Sequence, residues 1–458
     1  MGVMKKSATA FILLGLLAAA PLQATDFSLF NQNARASGLG GAFVAKADNV
    51  FAINDNPAGL AFLGGLRFKA AYLVHRRATT ATWPGSGQTF TSQPFQFWGN
   101  AALSWQPWPW VTLGFGFFTP YSAKFEWPWT WPGRSLSGSM ELDAHYLRPA
   151  IAFRLPGNLA VGASLDLVFS NVTWNHEGTL TLDKFPDLKA LTYDSSHDAS
   201  GRGTGFSVGL LWKPHRMLQV GAKYQHHVVV EYDGFNLFDS RDVVAPLIPH
   251  PKYTRYSYYE FFYFFFKRQA VTSRLTMPQD VAGGVLVTPL PNLSLIFEAQ
   301  KTAWHEFGSW EFTSVNSGAA LNPDFTQEYQ DFYGIAPDYG RQSAGLVLKD
   351  AWTYKGGVEY DLFGRFALRG GLARHESTVA ASDLNPVYPD LGRTILTLGF
   401  GYQGPFYSIW DRREMGRFSI DTFFQFAWAK STTASPPSIE LTYGGHRWAL
   451  GISVEFII

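Results

Sequence analysis

Apolar and polar residues alternate singly along almost the whole chain, and this pattern limits the fold more than any other feature. At the C-terminus Trp448, Leu450, Ile452, Val454, Phe456 and Ile458 share one parity, and Ala449, Gly451, Ser453 and Glu455 share the other. Phe418, Ile420, Phe424, Phe426 and Trp428 oppose Ser419, Asp421, Gln425 and Ala427. Trp352, Tyr354, Val358 and Tyr360 likewise oppose Thr353, Lys355, Gly357, Glu359 and Asp361. A period of two belongs to strands, whose successive side chains point to opposite faces. The chain is therefore all-β.

A soluble β-sandwich would turn the apolar parity toward a core. Two details point elsewhere. Trp, Tyr and Phe lead the apolar parity at strand ends, as in the aromatic girdles of membrane barrels. The other parity mixes Gly and Ser with solitary charges, among them Asp166, Lys223, Glu298, Lys355 and Glu359, which suits a wet or side-chain-filled lumen. The links also alternate in length. Short turn-forming links occur at 155–158, 213–216, 288–292 and 363–365, and long ones near 119–140, 173–200, 233–270, 304–350 and 375–392. Outer-membrane barrels pair short periplasmic turns with long extracellular loops. Counting segments predicts a transmembrane antiparallel β-barrel of about fourteen strands over 66–458. It must be closed, because lipid solvates no backbone group.

Composition narrows the partners. The 37 basic and 36 acidic residues give a net charge of +1, so nothing favours nucleic acid. The absence of cysteine excludes disulfides and thiolate chemistry. Lys5 and Lys6 precede an apolar core, Ala8 to Ala20, followed by Pro21 and Ala24. That layout predicts a signal peptide over 1–24 and an exported chain. Beyond it, no window approaches the roughly 18 apolar residues of a membrane helix.

Residues 25–65 do not alternate. Their Gly and Ala clusters and the Asn56-Pro57 turn signal predict a tightly folded segment, and a fourteen-strand barrel has room for a plug. Within it, ARASGLGGAFVAKADNVFAINDNPAGLA (34–61) resembles the N-terminal hatch of the FadL family of outer-membrane hydrophobic-compound transporters. Arg35, Ser37, the Gly40-Gly41-Ala42 cluster, Ala47-Asp48 and Asn56-Pro57-Ala58 carry the resemblance. TLGFGFFTPYSAKFEW (112–127), TMPQDVAGGVLVTPLPNLSLIFEAQKTAW (276–304), WTYKGGVEYDL (352–362), LRGGLARHEST (368–378) and PDLGRTILTLGFGY (389–402) extend it along the chain.

The resemblance implies a monomeric barrel, plugged by its hatch, in the outer membrane of a Gram-negative bacterium. It implies passive uptake of a hydrophobic small molecule, a long-chain fatty acid or an aromatic hydrocarbon, with no cofactor or metal. Ligand would be captured in an extracellular groove and passed to a deeper site. Rearrangement of the hatch, with Gly40, Gly41, Asn56, Pro57 and Ala58 as its elements, would then open a route through the wall beside a kinked third strand. By alignment that strand is about Val111 to Thr119, with Gly114 and Gly116 as candidate weak points, although glycines there also suit lumen-side packing. Such barrels usually end in Phe, the signal read by the barrel-assembly machinery. This chain ends in Ile458, with Phe456 on the same parity.

The run YSYYEFFYFFFKR, Tyr256 to Arg268, lies in a long link on the predicted extracellular side. Tyr258, Tyr259, Phe261, Phe262, Phe264 and Phe265 would bind an acyl chain or arene by burying area, at about 25 cal/mol per Å². Lys267 and Arg268 would hold a carboxylate. The same run also suits an anchor at the lipid interface, with the basic pair meeting lipopolysaccharide phosphates. Phe27 and Phe30 are further ligand candidates near the mature N-terminus. GFSVG (205–209) matches a nucleophile elbow but lies in an alternating stretch, and His226-His227 and His305-Glu306 lack metal-ligand spacing. A general porin without a hatch and a barrel enzyme acting on lipids are the alternative readings.

Overall fold

The computed structural model describes residues 32–180, 191–239, 269–314, 341–407, 414–435 and 440–458. From Leu66 onward each strand pairs antiparallel with the next. The sheet closes where the first strand, Leu66–Thr82, pairs with the last, Thr442–Ile457, from Arg67↔Ile457 to Thr82↔Thr442. Four wall strands are interrupted: Leu218–Gln225 continues as Val228–Asp239, Gln269–Met277 as Asp280–Leu290, Leu293–Thr302 as Glu311–Ser314, and Arg341–Ser343 as Ala351–Leu362. With each counted once, the protein is a closed fourteen-strand antiparallel barrel. Among the described residues no helix is long and apolar enough to cross a membrane.

Alternation becomes two-sidedness. On the first strand Ala71, Leu73, His75, Arg77, Thr79 and Ala81 are buried, while Phe68 and Tyr72 are exposed. Phe97, Trp105, Leu398, Phe424 and Ile452 extend the exposed belt around the wall. An apolar belt of this kind is stable against hydrocarbon and would be a liability in water. The short links predicted near 155–158, 288–292 and 363–365 are tight turns. At one of them Phe363 and Gly364 both take positive φ, 56° and 63°, the left-handed conformation that tight turns require.

Residues 32–64 form two short helices, Ala34–Ser37 and Ala52–Asp55, and a 3₁₀ turn, Pro57–Phe62. They pack against inward faces of the wall. The wall meets them with glycine: a Cβ on Gly162 would strike Pro57 and Ala58, on Gly209 the Asn56 side chain, on Gly221 the Val44 carbonyl, and on Gly371 the Gly40 amide. The glycines of the polar parity thus let a second backbone lie directly on the sheet. At the turn end of the barrel, Lys213 and Arg154 sit over the Phe62 ring, 4.1 and 5.2 Å from its centroid.

Since Leu398 lies near the middle of its strand and faces outward, Leu398→Arg should cost about 2–4 kcal/mol in lipid vesicles. Urea titration would measure it, and Trp129→Arg, in an exposed link, should change little.

Candidate functional site

The N-terminal segment is fastened by charges and amides that the wall strands direct inward. Asn56, fully buried, donates from Nδ2 to the carbonyls of Val44 (2.8 Å) and Leu210 (3.0 Å), and its Oδ1 accepts from the Ala58 amide (3.2 Å). One Asn therefore ties two parts of the segment to the sixth strand, and Pro57 starts the 3₁₀ turn. Gly40 and Gly41 have φ of 70° and 82°, and the Gly40 amide donates to Thr397 Oγ1 at 3.0 Å. Glu298 accepts the amides of Phe43 and Val44 on one oxygen (2.7 and 2.8 Å) and Lys355 on the other (2.7 Å).

Below Glu298, Glu359 collects three cations: Arg35 (3.0 Å), Lys46 (2.8 Å) and Arg369 (2.6 Å). Arg369 continues to Asp421 (2.9 Å), which Lys69 also meets (3.2 Å). Burial works against the Asp48 charge, but Arg35 and Lys46 outweigh it and hold the carboxyl below the ordinary range. Such a network is costly to assemble, yet removing one member leaves the others buried without their partner.

The third strand, Val111–Glu126, is broken in the middle. It pairs with the second strand, Phe95–Trp108, only from Val111 up to Phe117, which faces Ala101. Its register against the fourth strand, Ser139–Leu155, slips between Phe118↔Tyr146 and Tyr121↔Ala144, so one residue is extra at Thr119-Pro120. Proline lacks the ladder donor, and a bulge is where a strand accepts it. The extra residue reverses the faces. Gly114 and Phe118 point inward before the bulge, and Tyr121, Ala123 and Phe125 after it. The Thr119 amide donates to Gln32 Oε1 of the N-terminal segment (2.7 Å).

Toward the end with the long links, the lumen is an apolar chamber filled by its own buried side chains. Tyr121, Phe125, Trp127, Trp131, Tyr146, Trp304, Trp310 and Tyr388 belong to its buried cluster. Trp127 stacks on Trp131 (4.8 Å) and donates to the Pro386 carbonyl (2.9 Å), joining two links over the chamber. Between chamber and N-terminal segment lies a cavity of about 120 Å³, bordered by Phe43, Asp55, Pro120, Tyr121, Lys223, Asp280, Glu298 and Lys355. On the other side, Arg77, Arg393 and Arg447, from the first, twelfth and last strands, border a gap of about 20 Å³ beside Leu391. Each is at least nine-tenths buried. Arg393 lies 3.6 Å from Asp390, and Arg77 stands over the Phe125 ring at 4.6 Å.

Of the residues singled out in the sequence, Gly40, Gly41, Asn56, Pro57 and Ala58 come together between the segment and the wall. Gly114 and Gly116 lie in the paired part of the third strand, opposite Ser104 and Ala102. Gly114 makes room for Ile53 and Leu60, Gly116 for the Phe118 ring, and the break lies just beyond both. Phe27, Phe30, Tyr258, Tyr259, Phe261, Phe262, Phe264, Phe265, Lys267 and Arg268 fall outside the described residues. Sequence reasoning missed Gln32, the three arginines and the bulge. Pro120 inside an alternating run was the available signal for the last of these. The network also makes a testable distinction. Glu359→Gln should loosen residues 32–64 by about 3–5 kcal/mol and Asn56→Ala by about 1–3 kcal/mol, read as protease sensitivity of that segment in an otherwise intact barrel.

No curated protein matches the chain. Among solved structures, a Pseudomonas aeruginosa FadL homologue superposes with a TM-score of 0.75 at 15% identity, covering 94% of this chain and 100% of its own. The Ralstonia pickettii toluene transporter TbuX gives 0.64 at 16% identity, with coverage of 94% and 100%. The Pseudomonas putida toluene transporter TodX gives 0.66 at 14%, with coverage of 96% and 99%. These likenesses establish the fold. The family described as outer membrane protein transport protein (OMPP1/FadL/TodX) matches residues 15–432. The chain belongs to this family of outer-membrane transporters of hydrophobic compounds.

Proposed function

We propose that the protein is a channel for passive uptake of long-chain fatty acids across the outer membrane of a Gram-negative bacterium. In this reading residues 1–24 are removed on export, 25–65 are the hatch and 66–458 are the barrel, which works as a monomer. The aromatic run at 256–268 captures the cargo from outside, where lipopolysaccharide surrounds the mouth. Shift of the hatch then releases it beside the broken third strand. Family members are transport channels and not enzymes, and the hatch distinguishes this reading from an open porin.

One observation carries the choice of cargo: an apolar chamber bordered by three buried arginines, Arg77, Arg393 and Arg447. The chamber would take an acyl chain by area burial, and guanidinium groups pair well with carboxylate. The aromatic lining equally suits arenes, and TbuX and TodX are toluene transporters. Aromatic hydrocarbon is therefore the second reading.

Binding of a labelled long-chain fatty acid to detergent-purified protein, with toluene as competitor, tests both. Arg447→Gln should weaken fatty-acid binding about tenfold, the loss of one charge-assisted hydrogen bond, and leave toluene binding unchanged. Replacing Tyr258 to Phe266 by Ser and Gly should remove capture of both. Absence of saturable binding of either compound would overturn the reading.

The link at 376–392 adds a pH dependence. Burial pushes the Asp390 carboxyl up to about 8, against hydrogen bonds from Thr378 and the charges of Arg77 and Arg447. Because the shift is upward, the carboxyl is neutral at pH 7 and becomes charged as pH rises through about 8. It then competes with the cargo carboxylate for the arginines. Fatty-acid affinity should fall across that interval, and Asp390→Asn should abolish the fall.

A further inference from the structure

The break between the second and third strands has its own chemistry. Ladder pairing between them stops at Ala101↔Phe117, although the second strand runs back to Phe95 and the third on to Glu126. Side chains cross the interval instead. Gln96 Nε2 donates to Ser122 Oγ at 3.1 Å, and the Glu126 amide donates to Ser92 Oγ at 2.8 Å, closing the far end. At the near end Gln32 holds the Thr119 amide.

Two features of this interval are unexpected in the wall of a membrane barrel. Asn100, on the inward face of the second strand and 3% exposed, has no hydrogen-bond partner among the described residues for either its amide nitrogen or its amide oxygen. Neither does Gln32 Nε2. A buried primary amide with nothing to bond is costly and calls for a guest or water that can both donate and accept. The second feature is charge. Asp143, directly opposite Ser122 on the fourth strand, places a carboxyl at the interval. The neighbouring Gln96, Asn100, Thr119 and Ser122 are uncharged; the other titratable groups here are His145, 3.0 Å from Thr119 Oγ1, and Lys124, which pairs with Glu126 and Glu141.

We infer that this break is a hydrogen-bonding window that passes cargo whose polar end is uncharged. The inference rests on the transport reading above and refines it. A hydroxyl, carbonyl or protonated carboxyl satisfies the Asn100 amide during passage. A bare hydrocarbon leaves it dry, and an ionised carboxylate meets Asp143. An acid held as its anion by the arginines would thus gain a proton before reaching the wall, taken from solvent and returned on release.

The test compares protein-dependent uptake, by cells producing the full chain, of a long-chain primary alcohol, the carboxylic acid of equal chain length, and toluene. In Asn100→Leu, alcohol uptake should fall about tenfold relative to toluene, with toluene uptake unchanged or faster. For the wild type, acid uptake should fall as medium pH rises above the acid's own pKa, while alcohol uptake stays level. Heat-modifiable electrophoretic mobility checks assembly, and Asn100→Ala provides the same comparison if the leucine variant does not assemble. Wild-type uptake with an alcohol-to-toluene ratio that neither variant changes overturns the window alone. No protein-dependent uptake of any probe overturns the transport reading and the window with it.

Discussion

Hydrocarbon offers no hydrogen bond, and the rest of the structure follows from that deficit. Every backbone group at membrane depth must find its partner within the protein, so the first strand has to meet the last, as Leu66–Thr82 and Thr442–Ile457 do. Closure then fixes two solvents for one sheet. The parity facing out can be Phe, Leu and Trp, and the parity facing in is released from any need to be apolar. Buried lysines, arginines and carboxylates that would be anomalies in a soluble core become the means of fastening a second chain segment inside.

That fastening has a division of labour. The wall glycines let the backbone of residues 32–64 lie against the strands, and this contact is short-ranged and specific in shape. The charges on Glu298, Glu359 and Asp421 act through polarity instead, and amides, ammonium and guanidinium groups all converge on them. Asn56 belongs to both schemes, because it fits against Gly209 and bonds two carbonyls. Apolar packing accompanies both, since Phe51, Ile53, Leu60 and Leu63 of the segment share a buried cluster with Phe118, Leu211 and Phe423 of the wall.

Much of this was legible in sequence because the barrel is written in local pattern. Parity gave the faces, the lengths of links gave the turns, and Asn56-Pro57-Ala58 marked the segment within. What stayed hidden depends on closure. Arg77, Arg393 and Arg447 are scattered over the chain, and only the seam between first and last strands brings the first beside the third. Nothing local in any of the three predicts that meeting. Glu298, Lys355 and Glu359 stood out as solitary charges on the polar parity, but their partners in the N-terminal segment could not be read from spacing. The third strand shows a subtler limit: glycines at 114 and 116 drew attention toward a weak point, whereas the register slips at Thr119-Pro120, where a donor is missing.

The extra residue there behaves as a dislocation does in a crystal. It belongs to no single bond, and no side-chain exchange can heal it, because the count of residues on either side differs by one. Without it, Tyr121 and Phe125 would face the lipid and Ser122 and Lys124 would face the chamber, so the aromatic lining on this strand exists only because the ladder is faulted. The same defect ends the pairing that would seal the wall. Chamber and breach are therefore inherited together: a lineage that deleted one residue to mend the wall would also turn the lining inside out.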